Sequence, residues 1–255
     1  MLQSAAISLL ESLHPSLWRA DQLAHATTRC VDTGHATLSA QLPGGGWPMG
    51  TLVDLHVQQA GIGEMRMLAP ALRQVADRRV VLLQPPHPPQ ALALAALGLS
   101  PSSVIWLRAE RTADALWAAE QVLRSASCGA LLFWPDQIGN GGRQRTARPE
   151  HMRRLHLAAQ AGETLFFMTR PLAAAQEPSP APLRLSLRPA FGGLNVGFVK
   201  RQGPVREEAL FLPMPFDAVR PAQPQRYATS ADSGTIQVMQ PELKQRLSAA
   251  SGAVM

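Results

Sequence analysis

A loop that holds nucleotide phosphates needs a lysine directly after its second glycine and a Ser or Thr after that. The ammonium then reaches the phosphates and the hydroxyl helps to seat magnesium. This chain of 255 residues has two lysines, Lys200 and Lys244. Arg201 follows the first and Gln245 the second, so no such loop exists at any position. The histidines at 14, 25, 35, 56, 87, 151 and 156 show no HExxH spacing, and no serine sits in a GxSxG elbow. His151 and His156 are five apart, on different sides of any helix that carries both, and read as surface or stacking residues. Cys30 and Cys128 lie outside any CxxC pattern and read as plain thiols, Cys128 buried. The expectation is a chain without catalytic residues, cofactor or metal.

What remains is binding chemistry. The formal net charge is +6 and the pI is near 10.5, which suits a polyanion and equally suits a diffuse basic surface. Between residues 139 and 155 Arg143, Arg145, Arg148, Arg153 and Arg154 stand against one acid, Glu150. Gly141 and Gly142 loosen the backbone there, and guanidinium forks could grip phosphates in a salt-sensitive way. A solvated loop or a contact with an acidic protein surface would use the same residues. Near the start, Leu9, Leu13, Leu17 and Trp18 form an apolar helical stripe, suited to packing on its own core or docking on a neighbour. Near the end, Leu243 and Leu247 with Lys244 and Arg246 make a smaller amphipathic candidate for protein contact.

These residues need a scaffold, and the composition supplies one: 46% hydrophobic and 16% charged residues suffice for one sizeable core. No apolar run approaches the roughly 20 residues of a membrane span. Glu11 and His14 interrupt the apolar start, so a soluble, cytoplasmic protein is expected. From a glycine-rich turn at 42–50 the chain alternates strands (51–56, 79–84, 104–107, 129–134, 164–169) with helices (63–76, 89–97, 112–125, 151–161). That alternation predicts an α/β fold, a mostly parallel sheet with helices on both faces. Residues 183–188 then alternate with period two, Gly192-Gly193 makes a turn, and 195–201 and 208–212 follow as strands of an antiparallel hairpin extension. The expected organisation is a helical segment over 1–41, a core over 42–216 and a flexible tail over 217–255.

The entry LPGGGWPMGTLVDLH (42–56) resembles that of the RecA core, in which a Gly-rich turn and Pro-x-Gly precede the strand that feeds the phosphate loop. Further correspondences follow at Leu97-Gly98, at Met152-Arg153-Arg154-Leu155, and at LRLSLR ahead of the hairpin that ends in Val199-Lys200. Within that superfamily WPMGTLVDL, GIGEMRMLAPAL, GALLFWPD and HMRRLHLAAQAGETLFFMTRP most resemble the bacterial ImuA family. Its members are translesion-synthesis proteins with a RecA-like core and degraded nucleotide motifs. The same group is described as similar to SulA, the cell-division inhibitor.

The resemblance implies roles residue by residue. The phosphate loop would fall on Gly61 and Gly63, with Glu64 and Met65 where Lys and Thr belong. A carboxylate repels phosphate, and a thioether does not replace a hydroxyl on magnesium. Gln84-Pro85-Pro86 replaces the catalytic glutamate, and Trp134, two residues before Asp136, replaces the magnesium-binding acid. Thr169-Arg170-Pro171 replaces the switch glutamine. The arginine-rich stretch matches the first DNA loop, with Arg153 on a basic position. The N-terminal stripe matches a docking segment. Implied partners are the polymerase homologue ImuB, an error-prone DNA polymerase, RecA and DNA, in the SOS mutagenesis response. The alternative is a SulA-type inhibitor that binds the tubulin-like division protein. Replacing Arg143, Arg145, Arg153 and Arg154 by Ala is expected to abolish any oligonucleotide binding, measured by anisotropy at two salt concentrations, while leaving the core folded in thermal unfolding.

Overall fold

Strand β3 (Thr51–Val57) is buried at every position, as a strand covered on both faces of a parallel sheet must be. In this computed structural model, which describes residues 29–137, 148–202 and 208–214, β3 lies between β7 (Leu165–Pro171) and β8 (Leu183–Ala190) and runs parallel to both. Beyond β7 come β6 (Cys128–Phe133), β4 (Arg79–Leu83) and β5 (Val104–Leu107), all parallel. Beyond β8 the direction reverses: β9 (Gly193–Lys200) is antiparallel to β8, and β10 (Leu210–Pro213) is antiparallel to β9. The eight-stranded order is β10-β9-β8-β3-β7-β6-β4-β5. A separate antiparallel pair, β1 (Cys30–Asp32) and β2 (Gly46–Pro48), precedes it, with the one-turn helix α1 (Ala36–Ser39) between them. The α/β arrangement expected from the alternation, a mostly parallel sheet with an antiparallel extension, is present.

Side chains alternate across the sheet and build two cores. Val53, Leu55, Val80, Leu82, Leu132 and Phe167 face α2 (Glu64–Gln74) and its Met67, Leu68 and Leu72. The same core takes in Leu94 of α3 (Ala91–Ala96), and Trp47 meets Phe167 edge to face at 5.3 Å. Leu52, Val81, Leu83, Leu131, Phe133, Phe166 and Met168 face the other way. They meet α4 (Thr112–Ser125) through Leu116, Ala119 and Leu123, and α5 (Pro149–Ala159) through Met152, Leu155 and Ala159. Two boundaries differ from expectation. The helix expected over 89–97 is shortened to Ala91–Ala96, and the strand expected to stop at Thr169 continues to Pro171, paired with Val57. Gly50, the glycine of Pro-x-Gly, has φ +63°, and a Cβ there would lie 2.6 Å from the Gly162 carbonyl oxygen, so the turn into β3 requires glycine. No helix of the described residues is long and apolar enough to cross a membrane.

The second face of β3 also carries Asp54 and His56, both fully buried. Arg170 of β7 grips Asp54 with two bonds, Nε to Oδ1 at 3.0 Å and Nη2 to Oδ2 at 2.6 Å. Its third nitrogen reaches Glu177 Oε2 at 3.2 Å. His56 Nε2 lies 3.4 Å from both Asp54 Oδ2 and Arg170 Nη2. From β8, Arg184 Nε stands 3.6 Å from Asp54, while its Nη2 donates to the carbonyls of Ala174, Ala175 and Glu177. Two guanidiniums thus meet two carboxylates under the short helical turn at 172–176. Burial works to raise the Asp54 pKa, but hydrogen bonds from His56 and Arg170 and the charge of Arg170 hold it far below the ordinary aspartate range.

Breaking such a buried pair from one side leaves a charge without its counter-ion, which costs about 3–5 kcal/mol. Asp54→Ala is expected to lower the denaturant midpoint by a corresponding amount. Because the folded Asp54 pKa is depressed, its contribution is complete above the unfolded value, about 3.9, and is lost as pH falls below it. Chemical denaturation from pH 6 down to pH 2 is expected to show an acid limb below about pH 4 that Asp54→Asn flattens; an unchanged limb in that variant would refute the assignment.

Candidate functional site

The loop after β3 is where a RecA-type protein would hold phosphate. Here it runs from Gln58 to Gly63 and ends at the first residue of α2. Gly61 (φ +83°) and Gly63 (φ +119°) supply the left-handed backbone that aims successive N–H groups inward. The group that receives them is the chain's own Glu64, whose carboxylate accepts from Gly61 N at 2.9 Å and from Gly63 N at 3.2 Å. Glu64 is buried at the amino terminus of α2, where a negative charge is also favoured by the helix dipole. Its carboxylate takes the place an anion would occupy, which is a stronger reason against phosphate than the repulsion expected from residue type. Met65, where the resemblance would place the magnesium ligand, is packed against the apolar core around α2.

The other degraded positions are also committed to structure. Gln84 is buried with φ +56°; its N–H donates to Leu107 O at 3.0 Å and its side chain to Ala109 O. It is thereby turned toward the loop that follows β5. Trp134 is buried and its N–H donates to Leu83 O at 3.1 Å. Trp134 and Asp136 border a shallow cleft of about 170 Å³ with Gln58, Thr169, Arg170 and Pro171. Ligand sites are more commonly about 300–1,000 Å³, so the space is small for a nucleotide. Arg170 enters this border already bound to Asp54 and Glu177. Among the described residues no group of three or more His, Cys, Asp or Glu could hold a metal ion. Cys128 is buried, as expected, and forms no disulfide among the described residues.

Among the arginines, Arg143 and Arg145 lie outside the described residues, as do Leu9, Leu13, Leu17 and Trp18. Arg148 caps α5 from an exposed position. Arg153 is exposed and lines a small recess with Pro149, Pro178 and Pro180. Arg154 is exposed and its Nε pairs with Glu120 Oε2 at 2.9 Å, while Arg124 pairs with the other oxygen at 2.9 Å, so the carboxylate joins α5 to α4. His156 departs from the surface reading: it is half-buried, and its Nδ1 accepts the Leu52 N–H at 3.3 Å, fastening α5 to the start of β3. Burial, aided by the charge of Lys200, holds its pKa below the ordinary histidine value, which keeps that nitrogen an acceptor. The Asp54, His56, Arg170 and Arg184 cluster is the arrangement that residue-by-residue reading missed. Its signal was the pair of polar residues at alternate positions of TLVDLHV, an otherwise apolar strand.

No family model matches the chain. A stretch of 118 residues is 31% identical to the protein named cell division inhibitor SulA from Edwardsiella piscicida. The match takes in 44% of this chain and 65% of that protein, just short of two thirds of the relative's length.

Proposed function

We propose that this chain is a non-catalytic accessory protein of the DNA-damage (SOS) response, a RecA-like core that acts by docking on other macromolecules and not by hydrolysing ATP. The observation that carries this is the Glu64 carboxylate seated on the N–H groups of Gly61 and Gly63. A phosphate would have to displace a buried charge from its donors and then find neither the lysine nor the hydroxyl that phosphoryl transfer uses. The SOS part of the reading rests on the resemblance to the ImuA and SulA group.

Two partner classes follow from different observations. The identity with SulA supports a division inhibitor whose partner is the tubulin-like division protein. The ordered series of resemblances through the core supports an ImuA-type adaptor, joined to ImuB and an error-prone polymerase and in contact with RecA. Its antiparallel extension β8–β10 offers surface for a second partner.

Titration calorimetry of the full chain with magnesium ATP is expected to give no binding heat, and incubation no phosphate release. Micromolar ATP affinity would overturn the shared reading. Pull-down of the same preparation against ImuB, RecA and the tubulin-like division protein separates the partner classes. Capture of ImuB or RecA selects the adaptor, and capture of the division protein, with filamentous cells on overexpression, selects the inhibitor.

A further inference from the structure

On the core side of the antiparallel extension Leu183, Leu185, Leu187, Leu194, Val196 and Leu212 are buried. Among the described residues the opposite side has no such apolar cover. No residue of β8, β9 or β10 joins the second core, and beyond α5 the described cover on that face is the turn at 172–176, which holds Arg184 at the start of β8 and leaves the residues after it open. By alternation this open face carries Ser186 and Arg188 of β8, Asn195 and Gly197 of β9, and Phe211 of β10.

The cross-strand register sets three of these in one row. Arg188 pairs with Asn195, and Asn195 pairs with Phe211. The row therefore presents a cation, an amide and an aromatic ring across about 10 Å of sheet. Arg188 is exposed and makes no ion pair among the described residues, and Phe211 is 47% exposed. Beside the row, Gly197 opposes Ser186. Gly197 and the small Ser186 leave this strip without a bulky side chain. Further along, Lys200 opposes Arg184 and is exposed, close enough to α5 for its charge to act on His156. The three strands contain no Asp or Glu at all. Phe191, at the tip of the β8–β9 turn, is fully exposed.

We propose that this uncovered face of β8–β9–β10 is a binding site for single-stranded nucleic acid, with Phe211 as a stacking platform, Asn195 at the base edge, and Arg188 and Lys200 on the phosphates. Strands that pair an exposed ring with cations and lack acids match a chain of flat bases on a polyanion. An acidic peptide would use the cations and leave the ring and the bare strip without purpose. The site is distinct from the arginine-rich loop and does not depend on which protein partner the chain has.

The test is fluorescence anisotropy of a labelled oligothymidine of 20 nucleotides with the full chain at two salt concentrations and no second protein. Binding is expected, weaker at the higher salt. Phe211→Ala is expected to weaken it about tenfold or more, Phe211→Leu to weaken it likewise, and Phe211→Trp to retain it. Arg188→Glu is expected to weaken binding and to flatten the salt dependence. Phe211 and Arg188 lie outside both cores, and unfolding curves establish that each variant is folded. Three results would overturn the proposal: no binding at low salt, binding indifferent to Phe211 and Arg188 but abolished by Arg143→Ala with Arg145→Ala, or competition by polyglutamate as effective as by unlabelled DNA.

Discussion

A carboxylate with no exposure to water survives in a protein core only when its charge is met in full, and Asp54 is placed at the centre of this sheet. The bidentate contact with Arg170 meets that requirement and at the same time ties β3 to β7. The second guanidinium, from Arg184, brings β8 into the same cluster and pins the turn at 172–176 over it. Three adjacent strands are thereby locked in a register that apolar side chains alone would specify less sharply. The carboxyl ends of these strands border the cleft. Of the groups that line it, Arg170 is already held by Asp54 and Glu177.

The loop after β3 follows the same logic of self-satisfaction. Glycines with left-handed backbone keep the shape of an anion cradle, and a neighbouring side chain supplies the anion. The loop therefore keeps a folding role: it caps α2 and retains the geometry of the strand-to-helix turn. The interest of the molecule moves outward, from strand ends to the surfaces of α4 and α5 and to the extension beyond β8.

The strands and helices were legible because buried parallel strands are short apolar runs bounded by Pro and Gly, and because α4 and α5 carry strong helical periodicity. The period-two pattern of LRLSLR correctly announced the change to antiparallel pairing. The loop's unsuitability for phosphate was legible from residue type, but its mechanism was not, since the bend that brings Glu64 back onto Gly61 is a backbone event. Arg170 stood out of reach for a different reason. A single arginine at a strand end has no local signature, and its partner is 116 positions away. His156 was misread because spacing along a helix says which side a residue takes, not that an orphan N–H at the start of β3 waits there. The partner of Arg154 was out of reach for the same reason, a carboxylate on a different helix.

The position of β3 also bears on how the chain assembles. It is the first strand of the main sheet in sequence, yet both its neighbours, β7 and β8, come more than a hundred residues later. Every ladder bond it makes closes a long loop, and such non-local pairing slows folding. During synthesis β3 must wait as an unpaired apolar strand until β7 and β8 exist, while β4, β5 and β6 can already pair among themselves. When β7 arrives, Arg170 meets the charge that Asp54 carries into the core and fastens the late strand to the early one.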